Sequence, residues 1–184
     1  MSETLAAEIQ IGGKVRRSVA EELCGVITTE RVSLEWGDVS FEPKTVEDLL
    51  AARFDNGDGL LTLRLYDDHA SWGEFDILEG FLRGHRVPFV RYTEGKYDYD
   101  PEVVAFHPSC GLVQEPTDHR RNPIVQAATL KPIADTLAII LAEMRSGDVD
   151  AARLRRKLQR LYGKLRKCIP SDVPELGSFE VIEG

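Results

Sequence analysis

Apolar residues recur along this chain at two periods, every second residue in some segments and every third or fourth in others, and the switches between them predict its elements. Residues 8 to 11 read as a short strand ahead of Gly12 and Gly13. Ser18 and Glu21 stand at the spacing of a capping box, and Val19, Leu23, Val26 and Ile27 follow on one helical face. Residues 31 to 42 alternate, with Val32, Leu34 and Trp36 apolar, a turn at Gly37 and Asp38, then Val39 and Phe41. Thr45 and Asp48 open a short helix through Leu49 and Leu50 to about Arg53. After a turn over 54 to 59, residues 60 to 66 form the clearest strand, with Leu61, Leu63 and Leu65 on one side. A second capping box, Ser71 with Glu74, precedes a helix whose apolar face is Phe75, Leu78, Phe81 and Leu82 and which Gly84 closes. Residues 87 to 93 and 103 to 106 read as two strands of a hairpin with an enlarged loop.

The pattern then breaks. Residues 107 to 123 carry Pro108, Pro116 and Pro123 and show no period. The predicted organisation is an acidic α/β body at 1–106, a linker at 107–128, a helical hairpin at 129–168 and an extended tail at 169–184 that either adds a strand or stays loose. In the hairpin, Pro132 suits a first turn, and Ile133, Leu137, Ile140, Leu141 and Met144 give the first helix an apolar face. Ser146 and Gly147 end it, and Asp148 caps the second helix. The expected fold class is α+β: a small mixed β-sheet with two or three helices on one face, followed by a C-terminal antiparallel helical hairpin.

Charge sharpens this picture at the second hairpin helix. Between Arg153 and Lys167 stand eight Lys or Arg and no acid, in a chain whose formal charge is -8. At about 100° per residue, Arg153, Arg156, Lys157, Arg160, Lys164 and Lys167 fall within roughly one third of the circumference. Leu154, Leu158, Leu161 and Leu165 form a second stripe beside them. Residues 1 to 118 hold 23 Asp or Glu against 11 Lys or Arg, whereas residues 119 to 184 hold 8 against 12. Such asymmetry separates a body from an interaction segment, and it would equally let the basic helix dock on its own acidic body. The cationic arc has no Asn, and Gln159 lies off it, so nucleic acid bound there would be held without base reading.

Length and composition suit one ordinary domain with a helical appendage. The first twenty residues lack the layout of a secretory signal, and the longest apolar run, residues 137 to 142, is far short of the roughly 20 residues that span a bilayer. Cys24, Cys110 and Cys168 are too few and too scattered for a disulfide framework, so a reducing cytoplasm is the expected setting, with no membrane association.

No catalytic or metal motif emerges. His107, Cys110, His119 and His85 offer zinc-type ligands without the close pairs a structural site uses. Asp67, Asp68 and His69, followed by Glu74, sit just beyond the best strand, where a histidine beside carboxylates could act as a general base. Asp55 to Gly59 lacks the oxygen ligands of a calcium loop, and Gly12 and Gly13 lack the further glycines of a dinucleotide fingerprint. Tyr92, Tyr97 and Tyr99 interleave with acids on the proposed hairpin, and Tyr97 with Tyr99 would share one side as a contact edge. These features favour a non-enzymatic protein-interaction module that uses no cofactor. Its acidic body would engage a protein or mimic nucleic acid, and the partner-binding residues would be Tyr97, Tyr99 and the six cations. The basic helix would serve as docking surface or as the arm of a homodimer. Two alternatives are a sequence-tolerant nucleic-acid-binding protein using helix 149–167 and a small hydrolase or transferase around Asp67, Asp68 and His69.

Overall fold

The computed structural model describes all residues except 1–2, 56, 58, 97–98, 146–149, 170–173 and 184. The chain divides into two compact units, Met1–Asn122 with Asp172–Gly184, and Pro123–Ser171; we refer to them as the body and the arm. The body contains β1 (Thr4–Ile11), β2 (Lys14–Arg16), α1 (Arg17–Glu30), α2 (Val46–Ala51), β3 (Arg53–Asp55) and β4 (Leu61–Ser71). After these come α3 (Asp76–Gly84), β5 (Phe89–Thr93), β6 (Glu102–His107), β7 (Gly111–Pro116) and, beyond the arm, β8 (Glu180–Ile182). The main sheet has the order β3-β4-β1-β5-β6-β7 with every pairing antiparallel. Among the described residues, parallel pairing is confined to β2 and β8, which form a separate two-stranded sheet beside the antiparallel one. The fold is α+β.

Register decides which side of the sheet is dry. Ile11 lies opposite Leu63 and Phe89, and Ile9 opposite Leu65. With Ala7 these residues face Leu23 and Ile27 of α1, Leu49 of α2, and Leu78 and Leu82 of α3 in one fully buried cluster. Because successive side chains of a strand alternate, Glu8, Gln10, Arg64, Tyr66 and Tyr92 share the opposite face. Each Leu-sized side chain buried in this way contributes about 1.5–3 kcal/mol. The tail belongs to the same core: Phe179 is fully buried, its amide donates to Leu61 O at 2.7 Å, and Gly13 N donates to Gly177 O at 2.9 Å. A Cβ on Gly12 would collide with the Gly177 carbonyl, so glycine there lets the returning tail lie directly against the backbone.

Several sequence expectations give way to tertiary context. Thr45 and Asp48 do form a capping box. Ser18 does not cap α1, because β2 pairs with β8 up to Arg16 and the helix starts directly from that strand. Nor does Ser71 cap α3: it ends β4 opposite Thr4, and the first amides of α3 are met instead by Glu79, from Phe75 N at 3.2 Å, and Glu30, from Leu78 N at 2.9 Å. Residues 31 to 42 are a loop, tied to β4 by a bridge between Ser33 and Tyr66 and by Gly37 N donating to Asp68. The expected linker contains β7, an edge strand in which the apolar Leu112 and Val113 are adjacent and Gln114 and Glu115 follow, so its residue types do not alternate. β1 is longer than residues 8 to 11 because it is the central strand, paired on both sides.

In the arm, α4 (Ala127–Arg145) and α5 (Ala151–Arg166) run antiparallel, with Glu143 meeting Lys157 near the connection. Pro132 lies inside α4, not in its first turn. Asp150 caps α5 by accepting from Ala152 N and Arg153 N at 2.9 and 3.3 Å; Ser146, Gly147 and Asp148 are outside the described residues. Among the described residues, only Ile140 and Leu161 of the arm are buried. No described helix is long and apolar enough to cross a membrane.

A charged cluster sits on the dry side of the sheet, centred on Arg91 of β5 with Glu102 of β6 and Glu79 of α3. Arg91, with a side chain 3% exposed, lies 2.9 Å from Glu79 and donates to Glu102 at 2.9 Å, to Thr93 Oγ1 at 2.5 Å and to the Gly73 carbonyl. Gly73 is at φ 71°, and a Cβ there would run into Thr93. Arg91→Leu strands two carboxylates without their cation and should lower unfolding free energy by about 3–5 kcal/mol in urea titration; a loss below about 1 kcal/mol would contradict this role.

Candidate functional site

The cations of α5 are positioned by packing on α4. The least exposed line of α5 runs through Leu154, Lys157 and Leu161, so Lys157 belongs to the interhelical seam instead of the outer stripe. Its ammonium donates to both Glu143 oxygens at 2.5 and 2.7 Å, and this hydrogen bonding holds the Glu143 carboxyl below its usual range. Arg153, Arg156, Arg160, Lys164 and Lys167 are exposed, and the charge of Arg153 also helps to lower Glu143. Arg160 and Lys164 form one wall of a groove of about 200 Å³, with Ile139, Ile140, Leu161 and Thr136 supplying its floor and opposite wall. Ile139 is 59% exposed within it. The groove therefore offers cations beside an apolar strip, which suits a ligand with both acidic and apolar groups. Periodicity reveals the cations, but Ile139 falls outside the predicted apolar face of α4.

Tyr99 is exposed on the body, its ring centroid 5.8 Å from that of Trp72 in an edge contact; Tyr97 lies outside the described residues. The two rings border a cleft of about 410 Å³ with Glu74, Asp100, Glu102 and Gln114. Glu102 is already engaged by Arg91 and by Gln114 at 2.7 Å. Trp72 adopts φ 56° at the turn after β4, a position that sequence alternation could not mark. The cations belong to the arm and Tyr99 to the body, and each surface stands on its own geometry.

Asp67, Asp68 and His69 do not lie beyond a strand end. They occupy an irregularity in β4 where its pairing with β1 shifts register. Asp67 accepts from His69 N and Asp68 from Gly37 N, both at 2.8 Å, so each carboxylate serves the backbone. Among the described residues no group of His, Cys, Asp or Glu could hold a metal ion, and His107 Nδ1 pairs with Ser109 Oγ at 2.7 Å.

The outer face of the sheet carries an ion cluster that composition did not single out. Glu8, nearly buried, receives Arg121 at 2.6 Å and lies 3.4 Å from Arg64. The Arg121 guanidinium stacks 4.2 Å from the Tyr92 ring centroid. Beside this cluster, Trp36, Tyr66, Phe54, Leu34 and Arg64 line a cavity of about 550 Å³. Trp36 and Tyr66 are 4.7 Å apart, and Arg64 sits 4.4 Å over Phe54.

No protein-family model, no curated protein and no solved structure matches the chain. Its function has to be argued from these surfaces alone.

Burial tends to raise the Glu8 pKa, but hydrogen bonds from Arg121 and Gln10 and the charges of Arg121 and Arg64 outweigh it, leaving the group below its ordinary 4.5. A carboxyl lowered on folding stabilises the native state above its unfolded pKa, and that contribution disappears as pH falls through the folded value. Glu8→Gln should therefore flatten the acid side of the stability profile. Urea midpoints measured between about pH 5 and about pH 3 should fall less steeply in the variant than in the wild type; parallel profiles would contradict the assignment.

Proposed function

We propose that this protein is an interaction module whose arm takes an acidic, amphipathic segment of a partner protein in the groove between α4 and α5. The observation that carries this reading is the placement of exposed Ile139 opposite Arg160 and Lys164, with Arg153, Arg156 and Lys167 exposed beyond them. A phosphate backbone would engage the cations and leave the apolar strip unused. An amphipathic helix with a carboxylate edge would use both, as in helix-in-groove recognition. The acidic body supplies a second, oppositely charged surface, with Tyr99 and Trp72 as its exposed aromatic contacts, consistent with the enrichment of such residues at binding hot spots. A reducing intracellular setting fits three free cysteines. The sequence-tolerant nucleic-acid reading rests on the same exposed cations and is separated by experiment.

Fluorescence anisotropy with a labelled Glu- and Leu-rich amphipathic peptide, alongside a labelled single-stranded oligonucleotide, distinguishes the two. The peptide should bind more tightly, and either Ile139→Ser or the triple reversal Arg153→Glu, Arg156→Glu, Arg160→Glu should weaken it by about tenfold or more, ~1.4 kcal/mol. Oligonucleotide binding that is tighter, falls steeply between about 50 and about 200 mM salt, and ignores Ile139→Ser would replace this reading with phosphate recognition. If neither probe binds at about 50 mM salt, both readings fail.

A further inference from the structure

The face of the arm opposite the groove has no partner within the chain's own hairpin. On α4 the seam that meets α5 is Ile133, Thr136, Ile140 and Glu143, and on α5 it is Leu154, Lys157 and Leu161. A second seam on α4 comprises Leu130, Leu137, Leu141 and Met144, between 38% and 49% exposed. At ~100° per residue it lies about 60–120° around the helix from the first. Leu158, Tyr162 and Leu165, between 39% and 63% exposed, form the matching seam on α5. They are rotated in the same sense by about 50–110°. In antiparallel helices, equal rotation from the contact line points to the same side of the pair, so both second seams make one face. The cations and Ile139 rotate the opposite way, which agrees with their sharing the groove.

We infer that this apolar face is the contact between two copies of the chain, joined as an antiparallel four-helix bundle. Spacings of three and four along both seams are those by which a bundle helix packs on two neighbours at once. Neither second seam contains a charged side chain. A two-fold axis would therefore lay apolar residues on apolar residues, with the groove cations on the outside and the exposed Arg155 and Arg166 at the flank of the α5 seam, where their long side chains reach solvent. The face reaches the required size: α5 is about 24 Å long, and two helices side by side are about 20 Å wide, so pairing two faces removes roughly 1,000 Å², the lower bound for a specific interface. A heterologous partner of unrelated sequence would need the same charge-free double seam, which a second copy supplies.

Sedimentation velocity of the full chain tests this, with hydrogen–nitrogen correlation spectra reporting on the body. The wild type should sediment as two chains of 20.6 kDa each. Leu137→Glu combined with Leu158→Glu should give single chains whose body resonances are unchanged. The milder pair Leu137→Ala with Leu165→Ala should weaken the dimer by about tenfold or more without introducing charge. Arg160→Glu, on the opposite face, should leave the mass at two chains even where it abolishes peptide binding, which keeps failure of the groove reading separate from failure of this one. A single-chain mass for the wild type at about 100 μM would overturn the inference. So would assemblies larger than two chains, a dimer that survives both seam variants, or one lost on Arg160→Glu.

Discussion

A helix that packs on one neighbour covers one stripe of its surface, and α5 carries two further stripes whose chemistry differs. Its seam against α4 is satisfied by Leu161 and by the Lys157–Glu143 pair. On one side of that seam lie exposed guanidinium and ammonium groups, and on the other lie leucines and a tyrosine in contact with water. Water is a good solvent for the first and a poor one for the second. The groove reading and the two-chain reading both follow from this imbalance, and each takes a different side of the same pair of helices.

The body does not share the imbalance. Its sheet has one dry face sealed by three helices and by Phe179 from the tail. Its other face gathers its charges into the Glu8, Arg64 and Arg121 cluster. On the dry side, the buried Arg91 is held between two carboxylates. Because β8 returns to pair with β2 after α5, both ends of the arm are anchored in the body's secondary structure, and the arm is an insertion between β7 and β8. Such an insertion can carry a surface chemistry unlike that of its host, since the host core closes without it.

What the sequence disclosed tracks how local each determinant is. The α+β class, the helical arm and the basic arc are written in periods of two and of three to four, and those periods survive folding. The Thr45 box is read correctly because both its partners lie in the same turn. Ser18 and Ser71 have the same spacing, but strand pairing decides both: Arg16 pairs with Ile182 so that α1 begins ahead of Ser18, and Ser71 itself pairs with Thr4, and both partners are far away in sequence. β7 was hidden because an edge strand with Gln114 and Glu115 alternates weakly. For the site, the helical wheel found every cation but could not show that Lys157 faces inward, since that depends on where α4 lies. Trp72 and Ile139 were missed for the same reason: a turn dihedral in one case and the position of a neighbouring helix in the other decide their roles.

Hydrogen–deuterium exchange of the intact protein over a range of concentrations probes the central claim most directly, because a contact between chains protects amides only where it forms. Protection of α4 and α5 should rise together as concentration increases, while β1, β4 and β5 exchange at a constant slow rate. Amides of the arm that exchange equally fast at every concentration would contradict the account.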